Sequence, residues 1–134
     1  MDIFYNGNSE FPEFKVSDSG KKLTELGLVM RTGNKNLSID GSGRNNRFYS
    51  HTLRGLIFDL IEDETDGFDV SLENENLRFV GNKQAFENLG QGLINYFEDN
   101  PANQDHLHLD YFEGNRLLKP TNFSIVFMCL ENES

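Results

Sequence analysis

Residues 77–97, LRFVGNKQAFENLGQGLINYF, write a strand, a turn and a helix in one line. Phe79 ends the strand, Gly81 turns the chain, and Asn82 is a good N-cap because its short side chain accepts from the free amides of a first helical turn. Phe86, Leu89, Gly90, Leu93 and Phe97 then recur at helical spacing and define one apolar face. The stretch EDNPANQD that follows closes the helix, since Pro101 cannot continue it.

The same plan stands earlier in the chain. FKVSDSGKKLTELGLVM, residues 14–30, reads as a short strand, a polar break over Ser17–Gly20 and a helix with Leu23, Leu26 and Met30 on one face. Laying Leu26-Gly27 on Leu89-Gly90 puts Phe14 over Leu77, Lys15 over Arg78, Val16 over Phe79 and Leu23 over Phe86, without a gap. Beyond the helices, NLSID at 36–40 matches HLHLD at 106–110 in its apolar positions and its closing Asp, and LRGLIFDLI and NFSIVFMCL are both long apolar runs of strand character. Each half is then a strand, a helix and two further strands. Few identities support the overlay, and any amphipathic helix after a strand would give a similar one, so duplication and coincidence both stand at this point.

Between the halves, LRGLIFDLIEDETDGFDVSLENENLRFVG alternates apolar residues and breaks at Asp66-Gly67 and at Asn74-Glu75, which predicts an antiparallel meander with two tight hairpin turns. No linker divides the chain, so residues 1–134 are expected to form a single domain. The fold class is α+β: an antiparallel or mixed sheet with two helices packed on one face, and, if the overlay is a duplication, a repeated strand-helix-strand-strand unit.

Composition supports a folded core, with 37% hydrophobic residues, twelve Phe and no Trp. The excess of 22 acidic over 12 basic side chains argues against a nucleic-acid partner, whose phosphates are bound by Lys and Arg. A solvated acidic surface and a basic protein partner are the two readings left. Cys129, the single cysteine, sits in an apolar run, forms no intramolecular disulfide and fits a reducing cytoplasm. MDIFYNGNSEF has neither a basic start nor a continuous apolar segment, and no run in the chain approaches a membrane span, so a cytoplasmic protein without a membrane partner is expected.

On a strand, His106, His108 and Asp110 share one face while Leu107 and Leu109 take the other. Two imidazoles and a carboxylate at alternate positions are candidate metal ligands, yet a metal centre needs a third well-placed ligand and a pocket, and a solvated strand face is the preferred reading of the pattern. The run EDETDGFD at 62–69 lacks the ligand spacing of a calcium loop and reads as an acidic hairpin tip or a patch for basic residues of another protein. Gly41 and Gly43 have no following helix to make them a phosphate loop. No serine has a nucleophile-elbow context, and Ser50, His51 and Asp40 have no spacing that joins them into a triad. No enzyme activity and no cofactor are expected.

The second half, from Leu77 to Met128, resembles a pattern of small bacterial immunity proteins of polymorphic toxin systems, particularly the immunity protein 32 family. The shared pieces are Gly81-Asn82 at the end of a strand, the helix from Lys83, the histidine-rich strand His106–Asp110, a loop with Leu117-Leu118, and the apolar strand Phe123–Leu130. The absence of Trp, and a first half with no such match, are departures from the pattern. The resemblance implies a cytoplasmic protein that binds a co-encoded, basic toxin domain and blocks it without chemistry of its own. The expected contact residues are an acidic rim of Asp63, Glu64, Asp66, Asp69 and Glu113 around the aromatic anchors Tyr49, Tyr111 and Phe112, each of which could instead be ordinary sheet packing. The alternatives are a metal-binding or enzymatic domain using His106, His108 and Asp110, and a homo-oligomeric structural subunit, a homodimer in the simplest case, whose helix-free sheet face is covered by a second copy.

Overall fold

The computed structural model describes residues 1–32, 35–99 and 105–130. Among them the chain runs β1 (Asp2–Tyr5), β2 (Glu13–Asp18), α1 (Gly20–Thr32), β3 (Leu37–Asp40), β4 (His51–Thr52), β5 (Gly55–Leu60), β6 (Asp69–Glu73), β7 (Asn76–Gly81), α2 (Lys83–Phe97), β8 (His106–Asp110) and β9 (Ser124–Cys129). The class is α+β, with two helices packed on the inner face of mixed sheets. The strands are divided between two sheets rather than one, ordered β4-β1-β2-β9-β8 and β3-β5-β7-β6.

Local chemistry sets the helix starts. Asn82, extended at φ −83 and ψ 177, accepts from Ala85 N and opens α2 as its sequence position predicts. Ser19 does the same for α1, accepting from Lys22 N at 3.2 Å. The polar break before α1 is shorter than expected, because Ser17 stays in β2, buried, with a hydroxyl that has no hydrogen-bond partner. Pro101, read as the helix stop, lies outside the described residues.

The repeat is present as topology. β2 opens the first unit and runs parallel to β9, pairing Phe14 with Ile125 and Val16 with Phe127. β7 opens the second and runs parallel to β5, pairing Leu77 with Leu56 and Phe79 with Phe58. The remaining strands follow suit: Leu37 and Ile39 of β3 face Phe58 and Leu56, as Leu107 and Leu109 of β8 face Phe127 and Ile125. Each unit therefore lends its first strand to the other unit's sheet. β1 flanks β2, and β6 flanks β7, so the exchange extends to the hairpins as well.

The meander is corrected by this exchange. β7 lies between β5 and β6, so the bend at Asp66-Gly67 belongs to a crossing loop and not to a hairpin. Alternation says which side chains face the core, but it does not say which strand lies next door. The second turn stands as read: Asn74 and Glu75 have φ of 50° and 65°, the positive values a two-residue hairpin turn demands.

One continuous cluster of buried residues joins both sheets to both helices. Phe58 stacks on Phe79 at 4.6 Å between ring centroids, and Phe68 meets Phe79 edge-on at 5.6 Å, while Phe14 and Phe127 are buried on the five-stranded sheet. Cys129 is buried and forms no disulfide.

Candidate functional site

The acidic run is a crossing loop whose charges are tied down from within. Phe68 N donates to Leu117 O and Lys119 N to Phe68 O, both at 2.9 Å, which docks residues 117–119 beside the loop. Lys119 Nζ then lies 2.6 Å from Asp63 Oδ2 and 3.6 Å from Asp69 Oδ2, with its side chain only 12% exposed. The Lys119 hydrogen bond, aided by amides of the loop, holds the Asp63 carboxyl below its ordinary range, and the same bond raises the Lys119 ammonium. Asn82 completes the tie. While its Oδ1 caps α2, its Nδ2 donates to Asp63 O at 2.9 Å and to Asp66 Oδ1 at 3.0 Å. Glu64 is exposed beside them, and Asp69 stands on the outer face of β6 rather than at a hairpin tip. An open cleft of about 1170 Å³ runs along residues 60–65 and 82–84.

The outer face of the four-stranded sheet carries a second internal network. Arg78 Nη2 lies 2.6 Å from Asp59 Oδ2, and its Nη1 lies 3.3 Å from Glu73 Oε2. Asp59, Glu73, Asp63 and Asp69 are thus paired within the fold, by Arg78 and Lys119.

Strand β8 alternates as the sequence implies. Leu107 and Leu109 enter the core while His106, His108 and Asp110 are exposed on the outer face. The two imidazole centroids are 5.9 Å apart, and His108 Nε2 lies 3.9 Å from Asp110 Oδ2. Among the described residues no three His, Cys, Asp or Glu side chains are grouped so as to hold an ion. His51 lies at the opposite edge of the same sheet, on β4, with its Nδ1 2.7 Å from Ser50 Oγ. Asp40 is the last residue of β3, in the other sheet, paired with Gly55.

Tyr111, Phe112 and Glu113 leave the end of β8 in the segment that continues to Leu117 and Lys119, so one connection links the expected aromatic anchors to the acidic loop. Tyr49 differs from them. It lies against Phe4, ring centroids 5.9 Å apart, with Lys15 Nζ 6.0 Å from its ring, and burial followed by the charge of Glu13 raises its phenol. Tyr49 is sheet packing.

Sequence reasoning missed Lys119 and the second role of Asn82, because nothing local announces a bond across 56 positions in the chain. It also passed over Phe11 and Phe48. Their signal was available: each is an apolar residue stranded among turn formers, in NGNSEFPE and NNRFYS.

Comparison with protein-family models, with curated proteins and with solved structures finds no match to this chain. Among the described residues no helix is long and apolar enough to cross a membrane.

Proposed function

We propose that this chain is a neutralising binding protein that occludes a cognate basic toxin domain in the cytoplasm and performs no chemistry of its own. The observation that carries the reading is the ordered series of motifs over residues 77–130. A strand ends at Gly81, Asn82 caps a helix, HLHLD forms the next strand, Leu117-Leu118 lies in a loop and an apolar strand closes the series.

The formal charge of −10 supports a basic partner, because opposite fields speed diffusional encounter and disfavour acidic competitors. Inhibition by occlusion requires an interface of about 1,600 Å² in total, which loops and a sheet end can supply without a catalytic cleft.

The test is co-expression with the C-terminal domain of a large secreted protein encoded immediately upstream. Restored growth together with co-purification of the pair is the expected outcome. Continued toxicity, with no complex on gel filtration, rejects the reading.

A further inference from the structure

Three connections emerge at one end of the five-stranded sheet. Pairing of Tyr5 with Phe14, Glu13 with Ser124 and Asp110 with Ser124 places the β1–β2 turn and the long β8–β9 connection side by side. The turn before β4 joins them through His51, which pairs with Tyr5, and through Ser50, whose hydroxyl donates to Asn6 O at 3.0 Å.

Asparagine side chains tie these loops to one another and to the strand ends, beside the core contacts of Leu117, Leu118 and Phe123. Asn6 Oδ1 accepts from Glu13 N and its Nδ2 donates to Phe11 O, while Asn8 Oδ1 accepts from Phe11 N. Asn122 Nδ2 reaches Glu10 O at 3.2 Å and ties the β8–β9 connection to the β1–β2 turn. Asn115 Nδ2 donates to Asp110 O, and its Oδ1 accepts from Leu117 N. Onto this frame the chain places Phe11, Phe48 and Phe112 with 71%, 76% and 64% of their surface exposed. A phenylalanine left in water on a loop fixed by its own hydrogen bonds gives nothing to folding, and its rotamers are few enough that little entropy is lost when it is covered. Aromatic side chains, phenylalanine included, are enriched in the buried cores of protein interfaces.

We infer that the partner seats on this loop end of the five-stranded sheet, with Phe11, Phe48 and Phe112 as its apolar anchors, and that the surface it presents is cationic with apolar recesses. The inference rests on the neutralising-protein reading and locates its contact. Charge complementarity selects the occupant. Next to the aromatics in the chain stand Glu10, Glu13, Asp110 and Glu113, against Lys15, whose Nζ lies 6.0 Å from the Tyr49 ring, Arg47, whose guanidinium lies 4.8 Å from the Phe48 ring, and Arg116, so this end keeps the acidic sign of the whole chain. The acidic crossing loop is the poorer anchor, since Asp63 and Asp69 already share Lys119 and Asp66 already accepts from Asn82. Its field steers the encounter, while the aromatics hold the complex.

The experiment measures association and dissociation rates of the upstream-encoded C-terminal domain on the wild type, on the triple variant F11A/F48A/F112A, and on D63N/D66N/D69N. The aromatic variant is expected to dissociate on the order of 100-fold faster, with a urea midpoint like that of the wild type. The acidic-loop variant is expected to change the association rate and its salt dependence while the dissociation rate stays put. Phe48→Arg, which sets a cation against a cationic surface, is expected to weaken the complex more than Phe48→Ala. An unchanged dissociation rate in the triple variant overturns the inference, as does a faster one confined to the acidic-loop variant. If the chain alone sediments as a dimer that the triple variant makes monomeric, the occupant is a second copy and the inference is wrong. If the wild type forms no complex at all, the neutralising reading fails and this surface falls with it.

Discussion

Gly27 of α1 and Gly90 of α2 face each other where the helices cross: a Cβ on Gly27 would stand 2.7 Å from Gly90 O, and one on Gly90 would stand 2.6 Å from Gly27 O. These are the two glycines that the overlay of the two halves places on one another, so the repeat meets itself at this contact. Backbone touches backbone, and no side-chain rotation can make room.

Gly90→Ala is therefore expected to destabilise the fold by about 2–3 kcal/mol, the usual cost of overpacking. Gly92→Ala, two residues further along the same helix, is the contrast: its Cβ would meet Leu107 Cδ2 at an ordinary 3.5 Å. It is expected to stabilise by roughly 0.5–1 kcal/mol through helix propensity. Urea titration of the two variants gives midpoints that move in opposite directions; a shared direction would show that the crossing is not set by Gly90.

Asn82 joins two functions in one side chain, and two substitutions separate them. Asn82→Ala loses both the cap and the ties to the crossing loop, at a cost of about 2 kcal/mol. Asn82→Asp keeps an acceptor for Ala85 N but has no donor for Asp63 O or Asp66, and is expected to fall between Ala and wild type in thermal melts. Equal stability of Asp and wild type would remove the loop tie from the account.

The Lys119 pairing gives a pH signature. Asp63 is held below its ordinary value of 3.8, so its contribution is complete above that value and fades as acid carries the pH down through the lower folded one. Lys119 is raised above 10.5, so its contribution is complete below that value and fades as the pH rises past the higher folded one. The stability difference between wild type and Lys119→Met is expected to be flat between these limits and to narrow beyond each. A difference that narrows near pH 7 would assign it to other groups.

Ser17 buries a hydroxyl without a partner. Ser17→Ala removes an oxygen that gains nothing in the fold and is expected to be neutral or to stabilise by up to about 1 kcal/mol. A loss of more than that in urea titration would reveal a hydrogen bond at this position.

His106 and His108 offer two ligands on an exposed strand. Zinc, manganese or nickel added to protein purified without a tag is expected to leave the melting temperature unchanged. A dose-dependent rise that His108→Ala abolishes would restore the metal reading.

Much of this fold is legible in the residues themselves. The capping Asn82, the apolar face from Phe86 to Phe97, the alternation of HLHLD and the turn at Asn74-Glu75 all follow from interactions within a few positions of chain, where period and backbone preference act directly. The overlay of Leu26-Gly27 on Leu89-Gly90 reached further, because two stretches with the same local plan bury the same faces. What only the tertiary structure decided is partnership: that β2 pairs with β9 and β7 with β5, that β7 separates β5 from β6, that Lys119 neutralises Asp63, and that Phe11, Phe48 and Phe112 stand on tethered loops at one sheet end. An unpaired strand carries the same row of amides and carbonyls toward any neighbour, and a surface ion finds its partner by where the chain returns in space. Such choices are settled by the packing of the whole, which no local stretch of residues contains.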